Sequence, residues 1–217
     1  MSTRSLSLII AALDTASGLF GLAAADAPAP LPARPAAVVF DLDGCVWAPD
    51  MYMLWGGGAP FEVRPDDRDL NDINGRRVYM LGDTREILHE LHTAPEWSDT
   101  VVGVASCTDE PEWALECMDL FEVGPPGSGV HMAEVMDELE IVKGNKQGHM
   151  RRIADRTAID FEDMLFFDNE RQNCLDVAGL GCTVAWVPEG VTGAAWEQSL
   201  ERFPEPGGIL DFRMANW

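Results

Sequence analysis

The sequence predicts an α/β fold in which a doubly wound parallel sheet carries helices between its strands. Four short runs are apolar at nearly every position, as strands buried on both faces of a sheet are. Amphipathic segments of helical length separate these runs, and this alternation is typical of parallel sheets. The four runs are Ala36–Phe40, Val101–Ala105, Met164–Phe167 and Thr183–Val187.

The segments between the runs contain three predicted helices. Asp83-Thr84-Arg85-Glu86 has the pattern of a capping box, which predicts a helix from this point to about His92. Asp109-Glu110-Pro111-Glu112 predicts a second helix start, with proline in the first turn, where its missing N–H is tolerated. The third helix follows from an apolar stripe at helical spacing, which we interpret as core packing: Met132, Val135, Met136 and Leu139.

The first 35 residues are predicted to lie outside the folded domain. Their apolar and alanine-rich stretches, to about Ala27, fit either a targeting peptide or a helix packed on the surface. A stiff linker follows, because proline lacks an N–H and disfavours helix in the residue before it. Its prolines are Pro28, Pro30, Pro32 and Pro35. We therefore divide the chain into a leader and linker, residues 1–35, and one folded domain, residues 36–217.

The charge of the chain restricts its partners. Fifteen Lys and Arg residues against 37 Asp and Glu residues give a formal net charge of -22, which repels a nucleic acid backbone. Nucleic acid is therefore not a predicted partner. An anionic phosphate ester could bind only where a metal ion or a lysine offsets the negative field. The apolar run from Leu6 to Leu13 is too short for a transmembrane helix, so no membrane association is predicted.

The five cysteines predict a reducing compartment. Their number is odd and none forms a C-x-x-C pair, which argues against a disulfide framework or a zinc ribbon. We expect an intracellular, cytoplasmic protein, unless the leader directs it to an organelle. None of the cysteines is followed six positions later by arginine, which excludes a cysteine-nucleophile phosphatase. No glycine-rich nucleotide-binding loop is present either.

Three of the four predicted strands end directly in a polar residue. These residues are Asp41, Ser106 and Asp168, and Asp43 lies two positions beyond the first. The carboxyl ends of the strands in a doubly wound sheet open onto one crevice, so these side chains are expected to converge. An isolated D-x-D pair often only caps a turn or a helix. Here the pair follows a buried strand, and the oxygens of Asp41 and Asp168 are the ligands that Mg²⁺ prefers.

The motifs around these residues occur in a fixed order along residues 36–190. The motifs are Val39-Phe40-Asp41-Leu42-Asp43, Ala105-Ser106-Cys107-Thr108, Gly144-Asn145-Lys146 and Phe166-Phe167-Asp168-Asn169-Glu170. As an ordered set they resemble the four motifs of the haloacid dehalogenase superfamily. With Trp47 downstream of the first motif, they are most similar to the magnesium-dependent phosphatase-1 family.

The resemblance implies a phosphatase mechanism. Asp41 would be the nucleophile that forms an aspartyl-phosphate, and Asp43 would act first as general acid and then as general base. Mg²⁺ would be held by the metal residues Asp41, Asp43 and Asp168, with Asp43 contributing its backbone carbonyl. Ser106 would hydrogen-bond a phosphate oxygen of the substrate and Lys146 would supply the remaining positive charge, with Cys107 as a further substrate-binding residue. Cys45 and Cys107 are otherwise interpreted as small side chains packed beside the site.

Two positions depart from the superfamily pattern. Cys45 stands where threonine is usual, and Asn169 stands where many members have a second acid, which we expect to weaken Mg²⁺ binding. Activity is still expected. The alternative from another functional class is a non-enzymatic, acidic metal-binding domain that kept the fold and lost turnover. A third alternative is phosphoryl transfer to an acceptor other than water.

The substrate is predicted to be a phosphate monoester, either a small molecule or a phosphoprotein. The stretch from Gly44 to Gly82 is too short for a large cap domain, so the site is expected to have a minimal cap or none. Its aromatic residues would form either a flap that contacts the substrate, with Trp55 as the substrate-binding residue, or local core. They lie at Trp47, Tyr52 and Trp55, beside Met51. The family resemblance implies protein phosphotyrosine or phosphorylated sugars, and the residues do not choose between them.

Overall fold

The structure is a computed structural model that describes residues 33–213. The predicted leader, up to residue 32, lies outside the described residues. The strands are β1 (Ala37–Phe40), β2 (Trp47–Ala48), β3 (Glu62–Val63), β4 (Leu70–Asn71), β5 (Arg77–Met80), β6 (Val101–Ser106), β7 (Glu138–Ile141), β8 (Met164–Asp168), β9 (Thr183–Trp186) and β10 (Ile209–Asp211). The helices are α1 (Thr84–Thr93), α2 (Pro111–Leu120), α3 (Met132–Val135), α4 (Lys146–Thr157), α5 (Arg171–Ala178) and α6 (Gly193–Arg202).

Six of the strands form one parallel sheet in the order β10-β9-β8-β1-β6-β7. Strand β1 lies near the middle, and its last residue, Phe40, stands opposite Val104 of β6 and Phe167 of β8. All four predicted strands are present in this sheet, each within one residue of its predicted bounds. The predicted α/β class and parallel sheet are therefore confirmed.

Helices cover both faces of the sheet because the side chains of a strand point alternately to its two faces. Val38 and Phe40 pack on one face with residues of α1, α2 and α6, and the ring of Phe40 stacks on Phe167 at 5.3 Å between centroids. Ala37 and Val39 pack on the other face with residues of α4 and α5. Burying an aromatic side chain of this size contributes roughly 1.5–3 kcal/mol. None of the described helices is both long and apolar enough to cross a bilayer.

The stretch between the first strand and α1 folds as a small antiparallel sheet. The order of its strands is β2-β5-β4-β3, and a 3₁₀ turn at Met51–Leu54 follows β2. These strands are only two to four residues long. Within residues 33–213 this small sheet takes the place of a separate cap domain, in line with the prediction of a minimal cap.

The third predicted helix is wrong beyond its first turn. Helix α3 ends at Val135, and strand β7 begins at Glu138. Leu139 therefore lies on a strand and is 43% exposed, whereas Glu140 beside it is buried. The apolar residues therefore have helical spacing by coincidence. A search for apolar positions could not detect this strand, because the strand buries the charged Glu140.

The predicted capping box at Asp83 is also absent, although α1 begins where it was expected. The Asp83 carboxylate accepts no hydrogen bond from its own helix. It accepts one from the N–H of Gly193, the first residue of α6, at 2.6 Å. The second helix begins at Pro111 with proline in its first turn, as predicted.

Ion pairs attach the edge strand β7 to helix α4. Glu140 accepts hydrogen bonds from Arg152 at 2.7 Å and from Arg156 at 2.5 Å, and Arg156 also contacts Glu138 at 2.6 Å. Burial alone would raise the pKa of Glu140, but the hydrogen bonds from Arg156 and Arg152 outweigh it and hold the pKa below its usual value. These contacts fix the helix that begins with Lys146.

Replacing Glu140 by Gln is expected to lower the free energy of unfolding at pH 7 by about 1 kcal/mol, since the arginine side chains are partly exposed and solvent screens the pairs. A depressed folded-state pKa contributes stability above the unfolded value and loses it as the pH falls through the folded value. The difference between wild type and Glu140→Gln should therefore shrink below the ordinary Glu pKa of 4.5. Urea denaturation between pH 3 and 7 measures it. The control, Glu138→Gln, should cost less, because that side chain is more exposed; an equal cost would contradict the assignment.

Candidate active site

Three adjacent strands bring the predicted polar residues to one edge of the sheet. Ser106 and Asp168 are the last residues of β6 and β8, and Asp41 directly follows β1 between them. The N–H of Asp41 donates to the carbonyl of Phe167 at 2.9 Å, which carries the parallel pairing one residue past the strand. All three residues are buried. The side chains that the sequence placed at strand ends therefore converge, as predicted.

Lys146 supplies the positive charge at this edge. Its ammonium group donates to Oδ1 of Asp41 and, at 2.5 Å, to the carbonyl of Ala105, and it lies 3.5 Å from Oδ2 of Asp168. Burial acts to lower the pKa of Lys146, but the charges of Asp41 and Asp168 outweigh it and hold the pKa above its usual value. The lysine is therefore a permanent cation that is only 2% exposed.

Lys146 lies at the site because helix α4 begins there. Asn145 caps the helix, its side chain accepting from the N–H of Gly148 at 2.8 Å, and Lys146 is the first helical residue. The free N–H groups and the dipole of a helix N-terminus add positive potential to that of the ammonium group. This end of α4 is suited to an anion such as phosphate.

Only one oxygen of the Asp168 carboxylate accepts hydrogen bonds. Its Oδ1 accepts from the N–H of Glu170 at 2.7 Å and from Nδ2 of Asn173 at 3.3 Å. Its Oδ2 is buried without a hydrogen bond, and so is Oδ1 of Asn169. Burial, followed by the charge of Asp41, raises the pKa of Asp168 to about 7. Oδ2 of Asp168 therefore has the Lys146 ammonium group as an ion-pair partner 3.5 Å away but accepts no hydrogen bond from the described residues, and Oδ1 of Asn169 accepts none either.

The tight turn after Asp41 aims Asp43 into the same cavity. Gly44 adopts a left-handed backbone conformation, with φ at 75°, and a Cβ there would lie 2.3 Å from Nδ2 of Asn169. Asp43 accepts hydrogen bonds from Trp47 and from the backbone of Met51. Burial raises the pKa of Asp43 to about 6, despite those hydrogen bonds. A carboxyl group with this pKa can hold or release a proton near neutral pH.

The cavity at this edge has a volume of about 260 Å³ and opens to solvent. Of the predicted residues, it brings together Asp41, Asp43, Ser106, Cys107 and Lys146. Asp168 is fully buried and is not among the residues that line the cavity. Cys107 is half-buried and its pKa is raised, chiefly by burial, so it is not an activated thiolate.

The structure does not bring Trp55 to the cavity. The 3₁₀ turn ends before it, and its side chain is 79% exposed, whereas Tyr52 within the turn lines the cavity and is 63% exposed. The flap interpretation thus fits Tyr52, and the core interpretation fits the fully buried Trp47 and Met51.

Several residues that line the cavity were given no role in the site from the sequence, although Thr108 and Glu170 stand in the quoted motifs. They are Asp50, Thr108, Asp109, Glu170 and Asn173, beside the already noted Asn169. Asn173 could have been found from its place in the first turn of the helix that follows Asp168. The acidic rim residues gave no signal, because acids are frequent throughout this chain.

Comparison with known proteins identifies the family of the chain. A family model described as acid phosphatase matches residues 33–206. Magnesium-dependent phosphatase 1 of Homo sapiens is 30% identical over 174 residues, which are 78% of this chain and 87% of the human protein. A HAD-like hydrolase superfamily protein of Schizosaccharomyces pombe is 31% identical over 150 residues, 69% of this chain and 83% of that protein.

Solved structures support the fold alone. An uncharacterized protein of Listeria monocytogenes serotype 4b has a TM-score of 0.51 at 11% identity, over 81% of this chain and 90% of that one. A protein of Clostridium difficile has a TM-score of 0.50, also at 11% identity, over 83% of this chain and 95% of that one. The family model and the two sequence relatives show that the chain belongs to the acid phosphatase family, within the haloacid dehalogenase superfamily and the magnesium-dependent phosphatase-1 group.

Proposed function

We propose that this chain is a Mg²⁺-dependent phosphatase that hydrolyses phosphate monoesters through a phosphorylated Asp41. One observation carries the proposal: the ammonium group of Lys146 contacts Asp41 and Asp168 at the carboxyl ends of adjacent strands. The cluster thus combines a nucleophile, a fixed cation and a second carboxylate, one oxygen of which accepts no hydrogen bond. The presence of Asp43 in the same cavity adds a group that can transfer protons.

The residues present fit a magnesium ion. Oδ2 of Asp168 and Oδ1 of Asn169 accept no hydrogen bond and are hard acceptors, and burial together with the negative charge of Asp41 raises the pKa of Asp168, which a bound cation would offset. The described residues contain no ready cluster of three His, Cys, Asp or Glu side chains for a metal. Mg²⁺ does not need one, because it keeps several waters and binds proteins through one or two carboxylates. Asp41, Asp168 and the backbone carbonyl of Asp43 would hold it, and it would supply charge that stabilises the transferring phosphoryl group.

The chemistry is then carried by the side chains in two steps. In the first, an oxygen of Asp41 forms a bond to phosphorus while the bond to the leaving oxygen breaks, and Asp43 gives its proton to that oxygen. In the second, Asp43 takes a proton from water as the water attacks phosphorus, which frees Asp41 and inorganic phosphate. Ser106 and Lys146 bind the phosphate oxygens throughout and stabilise their developing charge.

Removal of divalent cations tests this function directly. We expect p-nitrophenyl phosphate hydrolysis in the presence of Mg²⁺, its loss after treatment with EDTA, and its return on addition of Mg²⁺ but not of K⁺. The reason is that Lys146 alone leaves the carboxylates and the phosphate dianion with excess negative charge. Cation-dependent thermal stabilisation without hydrolysis of any phosphate ester would instead favour the non-enzymatic metal-binding domain.

The rim of the cavity bears on the substrate. Protein phosphotyrosine and phosphorylated sugars are the two classes that the family resemblance implies, and both fit an open cavity. Tyr52 offers an aromatic surface at the rim, whereas Asp50, Asp109 and Glu170 make it acidic. A leaving group that carries further negative charge is therefore disfavoured.

Replacing Tyr52 by Ala is expected to raise KM for aryl phosphates about 3- to 10-fold, since an aromatic contact contributes about 0.5–1.5 kcal/mol. Steady-state kinetics with phosphotyrosine and with a sugar phosphate measure the effect, which should be smaller for the sugar. Trp55→Ala is the matched control, because Trp55 is exposed but does not line the cavity. A larger effect from Trp55→Ala than from Tyr52→Ala would contradict this assignment.

A further inference from the structure

The carboxylate of Asp43 is held at both of its oxygens by the segment that follows the catalytic turn. Oδ1 accepts a hydrogen bond from the indole Nε1 of Trp47 at 2.7 Å, and Oδ2 accepts one from the backbone N–H of Met51 at 3.1 Å. One donor on each oxygen fixes the rotation of the carboxylate about its bond to Cβ. Because a different donor holds each oxygen, the orientation is fixed at two points.

The Trp47 donor is itself immobilised. Its side chain is fully buried, and its ring stacks on Phe121 at 6.0 Å between centroids. Its backbone pairs with Met80 across β2 and β5, and its carbonyl accepts from the N–H of Gly44 at 2.8 Å. The indole N–H is therefore a rigid reference point for Asp43 and cannot follow the carboxylate if it turns.

We propose that Trp47 is a positioning residue, whose indole N–H sets the orientation in which Asp43 faces the leaving oxygen. Each carboxylate oxygen has a second lone pair besides the one that accepts the hydrogen bond. The transferred proton occupies such a lone pair on the side of the cavity. This inference rests on the proposed function, in which Asp43 gives its proton to the leaving group.

The test exploits the fact that esters differ in their need for that proton. An alkyl phosphate expels a poor leaving group and needs protonation, whereas p-nitrophenyl phosphate expels a stable anion and needs it less. The ratio of kcat/KM for the two esters reports the first chemical step and not the hydrolysis of the phosphoenzyme, which both substrates share. We expect Trp47→Phe to reduce kcat/KM for the alkyl ester by roughly 10- to 100-fold, with a smaller loss for the aryl ester.

A double-mutant cycle with Asp43→Asn separates this proposal from the function on which it rests. In the Asp43→Asn background, Trp47→Phe should change the ratio of the two esters no further, since the group it positions is gone. If Asp43→Asn leaves the ratio unchanged, the acid role in the proposed function fails. If Asp43→Asn shifts the ratio and Trp47→Phe does not, only the positioning role is overturned.

Two further variants address packing. Trp97→Phe is the matched control, because Trp97 is also buried and its Nε1 also donates to a carboxylate, Oε1 of Glu90 at 3.0 Å, outside the cavity. It should leave the ratio unchanged. Site-specific replacement of Trp47 by 3-benzothienylalanine keeps the bicyclic shape and removes the N–H. It should reproduce the selective loss even if Trp47→Phe folds poorly, and a wild-type ratio for this analogue would overturn the proposal.

Discussion

Replacing Asp41 by Asn is expected to reduce kcat by roughly 10⁴-fold or more, the scale on which loss of a nucleophile acts in enzymes with covalent intermediates. An amide oxygen is a poor nucleophile towards phosphorus, and the substitution also removes one of the carboxylates proposed to hold Mg²⁺. The change in shape is minimal, so the cavity should be preserved. Initial rates with p-nitrophenyl phosphate at saturating Mg²⁺ measure the loss.

The stability of Asp41→Asn should change little by comparison. Lys146 keeps Asp168 as a partner at 3.5 Å, and the repulsion between two buried carboxylates is relieved. We expect a change of about 1 kcal/mol in the free energy of unfolding. Asp50→Asn is the control, because it makes the same chemical change in another residue of the cavity. An Asp41→Asn variant with about a tenth of wild-type kcat or more, or an equal loss in Asp50→Asn, would contradict the nucleophile assignment.

Replacing Lys146 by Met is expected to reduce both activity and stability. The loss of a fixed charge on the transferring group should lower kcat by roughly 10²- to 10³-fold. Removing the cation also leaves Asp41 and Asp168 buried and repelling each other, which should cost about 3–5 kcal/mol of unfolding free energy in the absence of metal. Methionine keeps most of the volume, so a cavity does not explain the loss.

Magnesium distinguishes the electrostatic explanation from a packing defect. In Lys146→Met no ammonium group competes for the carboxylates, so Mg²⁺ should raise the melting temperature more than it does in wild type. Lys143→Met is the control, because Lys143 pairs with Asp109 at 2.8 Å in an exposed position. It should leave stability and kcat nearly unchanged. A Lys146→Met variant that Mg²⁺ stabilises no more than wild type would contradict the electrostatic role.

Much of the fold could be predicted because a parallel sheet buried on both faces imposes a simple pattern. The strands around Val39, Val104 and Phe166 contain no polar side chain before Ser106 and Asp168, the last residues of β6 and β8, and the sequence marked each strand within one residue. The edge strand β7 gave no such pattern, because it buries Glu140 and exposes Leu139. Strands of two residues, such as β3, are too short to carry any period.

The site could be predicted where its residues follow a strand. The positions of three side chains depend only on where β1, β6 and β8 end: those of Asp41, Ser106 and Asp168. Lys146 was identified from the order of the motifs along the chain. The rim depends on how the loop after Gly44 folds, which no local pattern fixes. The sequence therefore named Trp55 and Tyr52 together, and only the end of the 3₁₀ turn separates the one that lines the cavity from the one that does not.

The ion pairs on β7 also protect the sheet from unwanted association. A strand at the edge of a sheet offers unpaired N–H and C=O groups on which another chain can build, and inward-pointing charges are one way in which proteins prevent this. Glu140 on β7 is such a charge, tied to arginines of α4. At the opposite edge β10 has only three residues, and its Asp211 pairs with Arg213. Both edges of the sheet thus disfavour pairing with a strand of another chain, which favours refolding from denaturant without aggregation.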